Sequence, residues 1–109
     1  MKLLSRAEEI VLLAILKLQQ NAYGVALREL IQEETKTAWS FGSIYMPLNK
    51  LTRKGYITKS MGEPTPQRGG RSKCLYSVTN SGLEALQSIL DIQKNIWADI
   101  TEVKLKKKA

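Results

Sequence analysis

The stretch Phe41 to Gly55, FGSIYMPLNKLTRKG, constrains this chain more than any other. Ile44, Leu48 and Leu51 recur at i, i+4 and i+7, which makes one narrow apolar stripe on a helix. The other faces carry Ser43, Tyr45, Met46, Asn49, Lys50, Arg53 and Lys54, with no acidic residue among them. A surface helix built only for solubility mixes both signs for i, i+4 support. Hydroxyl, amide and basic groups without a carboxylate suit phosphate oxygens and base edges. The alternative is a core helix whose basic face is merely solvated. Gly55 ends the helix, and Tyr56-Ile57-Thr58 begins a strand.

The chain has 109 residues and a net charge of +7. That length fits one domain, which buries roughly two-thirds of its unfolded surface. The charge is unevenly placed. Residues 1–49 are neutral, 50–73 carry +6, 74–103 carry −3, and the Lys-rich tail carries +4. Charge concentrated in one central block is the footprint of a polyanion binder. No run reaches the ~18 apolar residues of a membrane span, and Arg6, Glu8 and Glu9 follow the first residues too closely for a signal peptide. The expectation is a cytoplasmic protein. One cysteine, Cys74, and no histidine exclude an internal disulfide, a structural zinc site and a His-based triad. No cofactor or enzymatic role is expected, because the carboxylates stand singly on helix surfaces.

Taken in order, Ser5-Arg6-Ala7-Glu8 is a capping box. Ile10, Val11, Leu13, Ala14, Ile15, Leu16 and Leu18 then give a helix apolar nearly all round, expected to be covered partly by a second chain. After Tyr23-Gly24 comes a second helix, Val25 to Glu34, with Val25, Leu27, Leu30 and Ile31 as its inner stripe. Trp39 is expected in the core. Ser40 and Ser43 are both possible caps of the central helix, and Ser40 is preferred. A Ser40 cap puts Pro47 in the second turn, where a kink is expected. Tyr56 to Met61 and Lys73 to Val78 read as strands joined by an exposed loop with two prolines and three glycines from Gly62 to Gly70. Thr79 or Ser81 caps a last helix, and Ser81-x-x-Glu84 is a second capping box. Its stripe of Leu83, Leu86, Ile89, Leu90, Ile96, Trp97, Ile100 and Val103 exceeds what so small a core can cover. Such a helix is an association surface.

Three helices, two strands and a helix make the winged helix-turn-helix order, a mainly α (α+β) fold with a two-stranded wing and a long C-terminal dimerisation helix. The expected division is residues 1–79 for the DNA-binding unit, 80–105 for the dimerisation helix and 106–109 for a basic tail. Three stretches resemble the PadR family of transcriptional regulators, in particular its short members with one C-terminal helix. They are Tyr23-Gly24; Gly42-Ser43-Ile44-Tyr45 with Leu48, Leu51 and Gly55-Tyr56-Ile57; and Gly70 to Gly82. The match covers roughly residues 6–90. It departs at Met46, where the family often places proline directly after the tyrosine, and here Pro47 follows instead. The resemblance implies a homodimer that binds palindromic double-stranded operator DNA, usually represses, and in some subfamilies binds a planar hydrophobic small molecule at the dimer interface.

The candidate DNA-binding residues are Ser43, Tyr45, Met46, Asn49, Lys50 and Arg53 on the central helix. Arg68, Arg71 and Lys73 on the wing join them, with Tyr23 at the start of the second helix. Tyr45 has a second reading, with its ring packed inward and only its hydroxyl exposed. Leu86, Ile89, Leu90, Ile96 and Ile100 are the candidate dimerisation residues. Trp97 is the candidate ligand-binding residue, its alternative being a packing role in the dimer seam. Cys74 is expected as a half-buried strand residue. The rival reading is a winged-helix protein–protein assembly module without specific DNA binding, which the +6 block argues against. RNA binding is disfavoured because no aromatic pair is placed on a strand for base stacking.

Overall fold

The computed structural model describes residues 3–62, 73–101 and 105–106. Helix α1 (Arg6–Leu18) and a short 3-10 turn (Gln19–Asn21) precede α2 (Gly24–Thr35) and α3 (Phe41–Arg53). The strands β1 (Ile57–Met61) and β2 (Cys74–Val78) follow, and then α4 (Asn80–Trp97).

The Ser5 capping box forms as read. Ser5 Oγ accepts from the Glu8 amide at 3.1 Å, and Glu8 Oε1 accepts from the Ser5 amide at 3.0 Å. Val11, Leu12, Ala14 and Ile15 put one side of α1 into the core. Leu13 and Leu16 stay exposed, because they face a groove toward α4 instead of a second packed layer. On α2, Leu27 and Ile31 are buried but Val25 is exposed, which corrects the expected stripe. Val25 stands two positions before Leu27, about 200° away around the helix, so the two cannot share a face.

Lys36, with φ of 56°, ends α2 in a left-handed cap. Trp39 then ties the turn down. Its amide donates to Gln32 Oε1 at 2.9 Å, its indole N–H donates to Thr35 Oγ1 at 3.1 Å, and its carbonyl accepts from Arg28 Nε at 2.6 Å. Ser40 caps α3, accepting from the Ser43 amide at 3.1 Å. Pro47 therefore lies in the second turn, buried, and the helix runs on unbroken to Arg53. Ile44, Leu48 and Leu51 are fully buried and meet Leu12, Ile15, Leu27, Ile31 and Ile57 in one cluster.

Gly55, with φ of 78°, closes α3 in a Schellman turn. The Tyr56 amide donates to Leu51 O at 3.0 Å and the Gly55 amide to Thr52 O at 3.1 Å. The strands pair antiparallel, with Ile57 opposite Val78 and Met61 opposite Cys74. Tyr76 is buried on this hairpin and Cys74 is half-buried, as read. A single bridge from Tyr23 to Leu75, with the Tyr76 amide donating to Ala22 O at 2.9 Å, ties the two-stranded sheet to the residues just before α2.

Thr79, not Ser81, caps α4, so the second capping box is not used. The reason is tertiary. Thr79 Oγ1 accepts from the Gly82 amide at 3.1 Å while donating to Gly55 O at 2.7 Å, and the Thr79 amide donates to Tyr56 O at 2.9 Å. A side chain on Gly82 would collide with the Tyr56 carbonyl, so the two helix ends are in close contact. The expected helix to residue 105 ends earlier, at Trp97. Ala98 turns extended with ψ of 134° and Asp99 turns left-handed with φ of 68°, so Ile100 lies beyond the helix. No helix of the described residues is long and apolar enough to cross a membrane.

Candidate nucleic-acid interface

With Ile44, Pro47, Leu48 and Leu51 inward, helical geometry fixes which residues stand farthest from the core. They are Gly42, Met46, Asn49 and Arg53, a ridge at i, i+4, i+7 and i+11, and all four are exposed. Ser43 and Lys50 flank the ridge on the side of Trp39. There they help line an open groove of about 490 Å³ with Ser5, Ala38 and Trp39, and Met46 on the ridge borders the same groove. Ser43 Oγ lies 2.9 Å from Ser40 Oγ, so its hydroxyl is partly engaged in the cap. Tyr45 flanks the ridge on the opposite side. Its hydroxyl sits where a side chain on Gly24 would stand, and its ring lies 6.3 Å from the Phe41 ring. That reverses the inward-ring alternative, since the hydroxyl is the end that turns toward α2.

Arg28 and Phe41 belong to this surface and were not among the sequence candidates. The Arg28 guanidinium stacks 4.5 Å from the Phe41 ring centre while its Nε holds the Trp39 carbonyl. No local pattern announces a contact between residues on two different helices.

The electrostatics also differ from a count of charges. Lys54 Nζ lies 2.6 Å from Glu8 Oε2, and the Glu8 side chain is 6% exposed. Burial by itself raises the Glu8 carboxyl. The Lys54 ammonium and the Ser5 donors outweigh that and hold it below its ordinary value. Lys54 is therefore tied to α1 and is not a free part of the basic face. Among the described residues, Lys50, Arg53 and Lys59 enter no ion pair. Burial first, and then the nearby Cys74 thiol, push the Tyr76 phenol above its usual range, so it stays neutral beneath the interface.

On the wing side, Lys73 Nζ stands 4.2 Å over the Tyr23 ring, so these two candidates meet at the start of α2. Arg68 and Arg71 lie outside the described residues. Of the candidate dimerisation residues, Leu86 and Ile89 are half-buried, while Leu90 and Ile96 are exposed. Ile100 is exposed beyond the helix, and Trp97 is 55% exposed at its last turn.

A helix-turn-helix whose second helix presents an exposed polar and basic ridge, followed by a hairpin, defines a winged helix-turn-helix domain of the DNA-binding kind. The family model for the transcriptional regulator PadR-like family matches residues 12–88, and the chain belongs to that family. It is a DNA-binding transcriptional regulator.

Solved structures agree on the fold. A PadR family transcription regulator from Clostridium difficile superposes with a TM-score of 0.62 at 26% identity, covering 88% of this chain and 92% of that one. RosR from H. salinarum gives a TM-score of 0.68 at 21% identity, over 91% of this chain and 82% of its own. A Streptococcus mutans protein gives 0.65 at 22% identity, over 98% of both chains. A search of curated proteins finds no match.

Proposed function

We propose that the chain is a homodimeric repressor that binds a palindromic operator through the outer ridge of α3, with the wing on the flanking backbone. The observation that carries this reading is the ridge itself. Asn49 and Arg53 stand outward without a neighbouring carboxylate, on a helix whose opposite face is fully buried. Asn pairs bidentately with adenine, and Arg with guanine or phosphate. Lys50 and the Lys73–Tyr23 corner are placed to meet phosphates on either side.

Dimerisation is supported by α4. Its groove with α1, about 350 Å³, is lined by Leu13, Leu16, Leu83, Leu86 and Leu90, with Glu9, Gln87 and Gln93 among them. In a twofold dimer the two α3 helices enter successive major grooves about 34–36 Å apart. Trp97 and Ile96, exposed at the end of α4, suit a flat hydrophobic effector that releases the operator.

The test is selection from a random duplex pool followed by a salt titration on the enriched sequence. A twofold-symmetric site with a steep loss of affinity at rising salt is the expected result. Equal affinity for all duplexes, or a flat salt dependence, overturns the reading.

A further inference from the structure

We propose that Met46 reads a thymine. Its side chain packs on the C5-methyl group of a thymine in the major groove of each half-site, so that the operator prefers a T·A pair there. This rests on the reading of α3 as the recognition helix.

Met46 is 62% exposed, the most of any apolar side chain on α3. It stands on the outermost ridge, one turn after Gly42 and one turn before Asn49. Gly42 carries no side chain, so a duplex can close on the ridge at that end. Met46 is then the first side chain to project from it, in the N-terminal half that a recognition helix uses for base edges.

The other apolar groups nearby are engaged within the molecule. Phe41 lies under the Arg28 guanidinium, and the Tyr45 hydroxyl is tucked against Gly24. The surroundings also argue against an apolar protein partner at this spot. Covering Met46 that way would bury Ser43, Asn49, Lys50 and Arg53 with it, at the desolvation cost of each.

Base chemistry then selects the target. In the major groove, guanine, cytosine and adenine offer only donors and acceptors, and thymine alone offers a methyl group. A thioether donates no hydrogen bond and accepts only weakly, but its unbranched chain shapes itself to a methyl. The side chain that follows, Asn49, is free to take the adjacent base pair.

The probe is the duplex enriched from a random pool made with thymidine, resynthesised with deoxyuridine in place of each thymidine in turn. Uracil keeps every hydrogen-bonding group and lacks only the methyl. We expect one position per half-site where the change weakens binding about fourfold, the effect of exposing one methyl group. Met46→Ala should bind the thymine and uracil duplexes alike, and Met46→Leu should restore the difference. Neither variant should alter the slope of affinity against salt, because no phosphate contact is touched. If no thymine shows a methyl effect on a duplex that is bound specifically, the proposal fails and the recognition-helix reading stands. If the methyl effect survives in Met46→Ala, another side chain reads it and the assignment is wrong. If no sequence is enriched at all, the reading of α3 fails and takes the proposal with it.

Discussion

Helices α3 and α4 are both amphipathic, yet the monomer uses them differently. The apolar residues of α3, Ile44, Leu48 and Leu51, are fully buried. Among the described residues α4 buries only Gly82, while Leu83, Leu90, Ile96 and Trp97 remain between 44% and 71% exposed. The same kind of periodicity therefore answers two different demands. In α3 it serves the chain's own core and leaves the outer face polar and exposed. In α4 it serves a surface that the described residues leave exposed. Apolar spacing identifies a buried face, but not which molecule buries it.

A pair of substitutions separates the roles of the two helices. Leu48→Ala should lower the unfolding free energy by about 2–5 kcal/mol in chemical denaturation, because it opens a cavity in the core. Leu90→Asp should change monomer stability by only about 0.5 kcal/mol, since the site is exposed. It should nonetheless convert a dimer to a monomer in sedimentation, because the charge would be buried unpaired in the seam. A dimer that survives Leu90→Asp places the interface elsewhere.

The outer face of α3 is sharpened by Asn49→Ala. It should cost about 1–3 kcal/mol of operator affinity and relax preference at one base pair per half-site, with the melting temperature unchanged. A loss that is uniform over all sequences would make Asn49 a phosphate contact.

A smaller effect is expected at the joint between α1 and α3. Glu8→Gln keeps the capping box, which accepts either residue at this position. It removes only the charge facing Lys54. The folded-state carboxyl is held below its ordinary value of 4.5. Its contribution is therefore fully present above that pH and is lost as pH falls through the lowered folded value. The wild type should exceed Glu8→Gln by about 1 kcal/mol at neutral pH, a figure kept low by the partial exposure of Lys54. The two proteins should converge in acid. A gap that is constant with pH would rule out the ion pair as its source.

The smallest effect concerns the end of α4. In a Trp39→Phe background, planar dyes should quench Trp97 saturably and weaken operator binding, with stacking worth about 0.5–1.5 kcal/mol per contact. If no dye in a diverse set quenches it, Trp97 is a packing residue.

What was legible in the sequence was local. Ser5 and Glu8 stand three positions apart and form their box, and the stripe of α3 reads directly as its buried face. The Ser40 cap followed from the room it leaves for a first turn. What escaped depends on distant partners. Lys54 is neutralised by a residue 46 positions away, which no window along the chain contains. Ser81 has the spacing of a capping box, but Thr79 prevails because its hydroxyl also holds the Gly55 carbonyl. Tyr45 turns its hydroxyl inward because Gly24, on another helix, leaves a space for it. The end of α4 has no glycine or proline to mark it, and the helix stops at Trp97 where the backbone of Ala98 and Asp99 leaves helical values.

The junction of Gly55, Tyr56, Thr79 and Gly82 is, in mechanical terms, a weld and not a hinge. Two hydrogen bonds and a side-chain-free contact join the closing turn of α3 to the opening turn of α4, with no slack residue between the parts that touch. The opening turn of α4 is thereby fastened to the closing turn of α3.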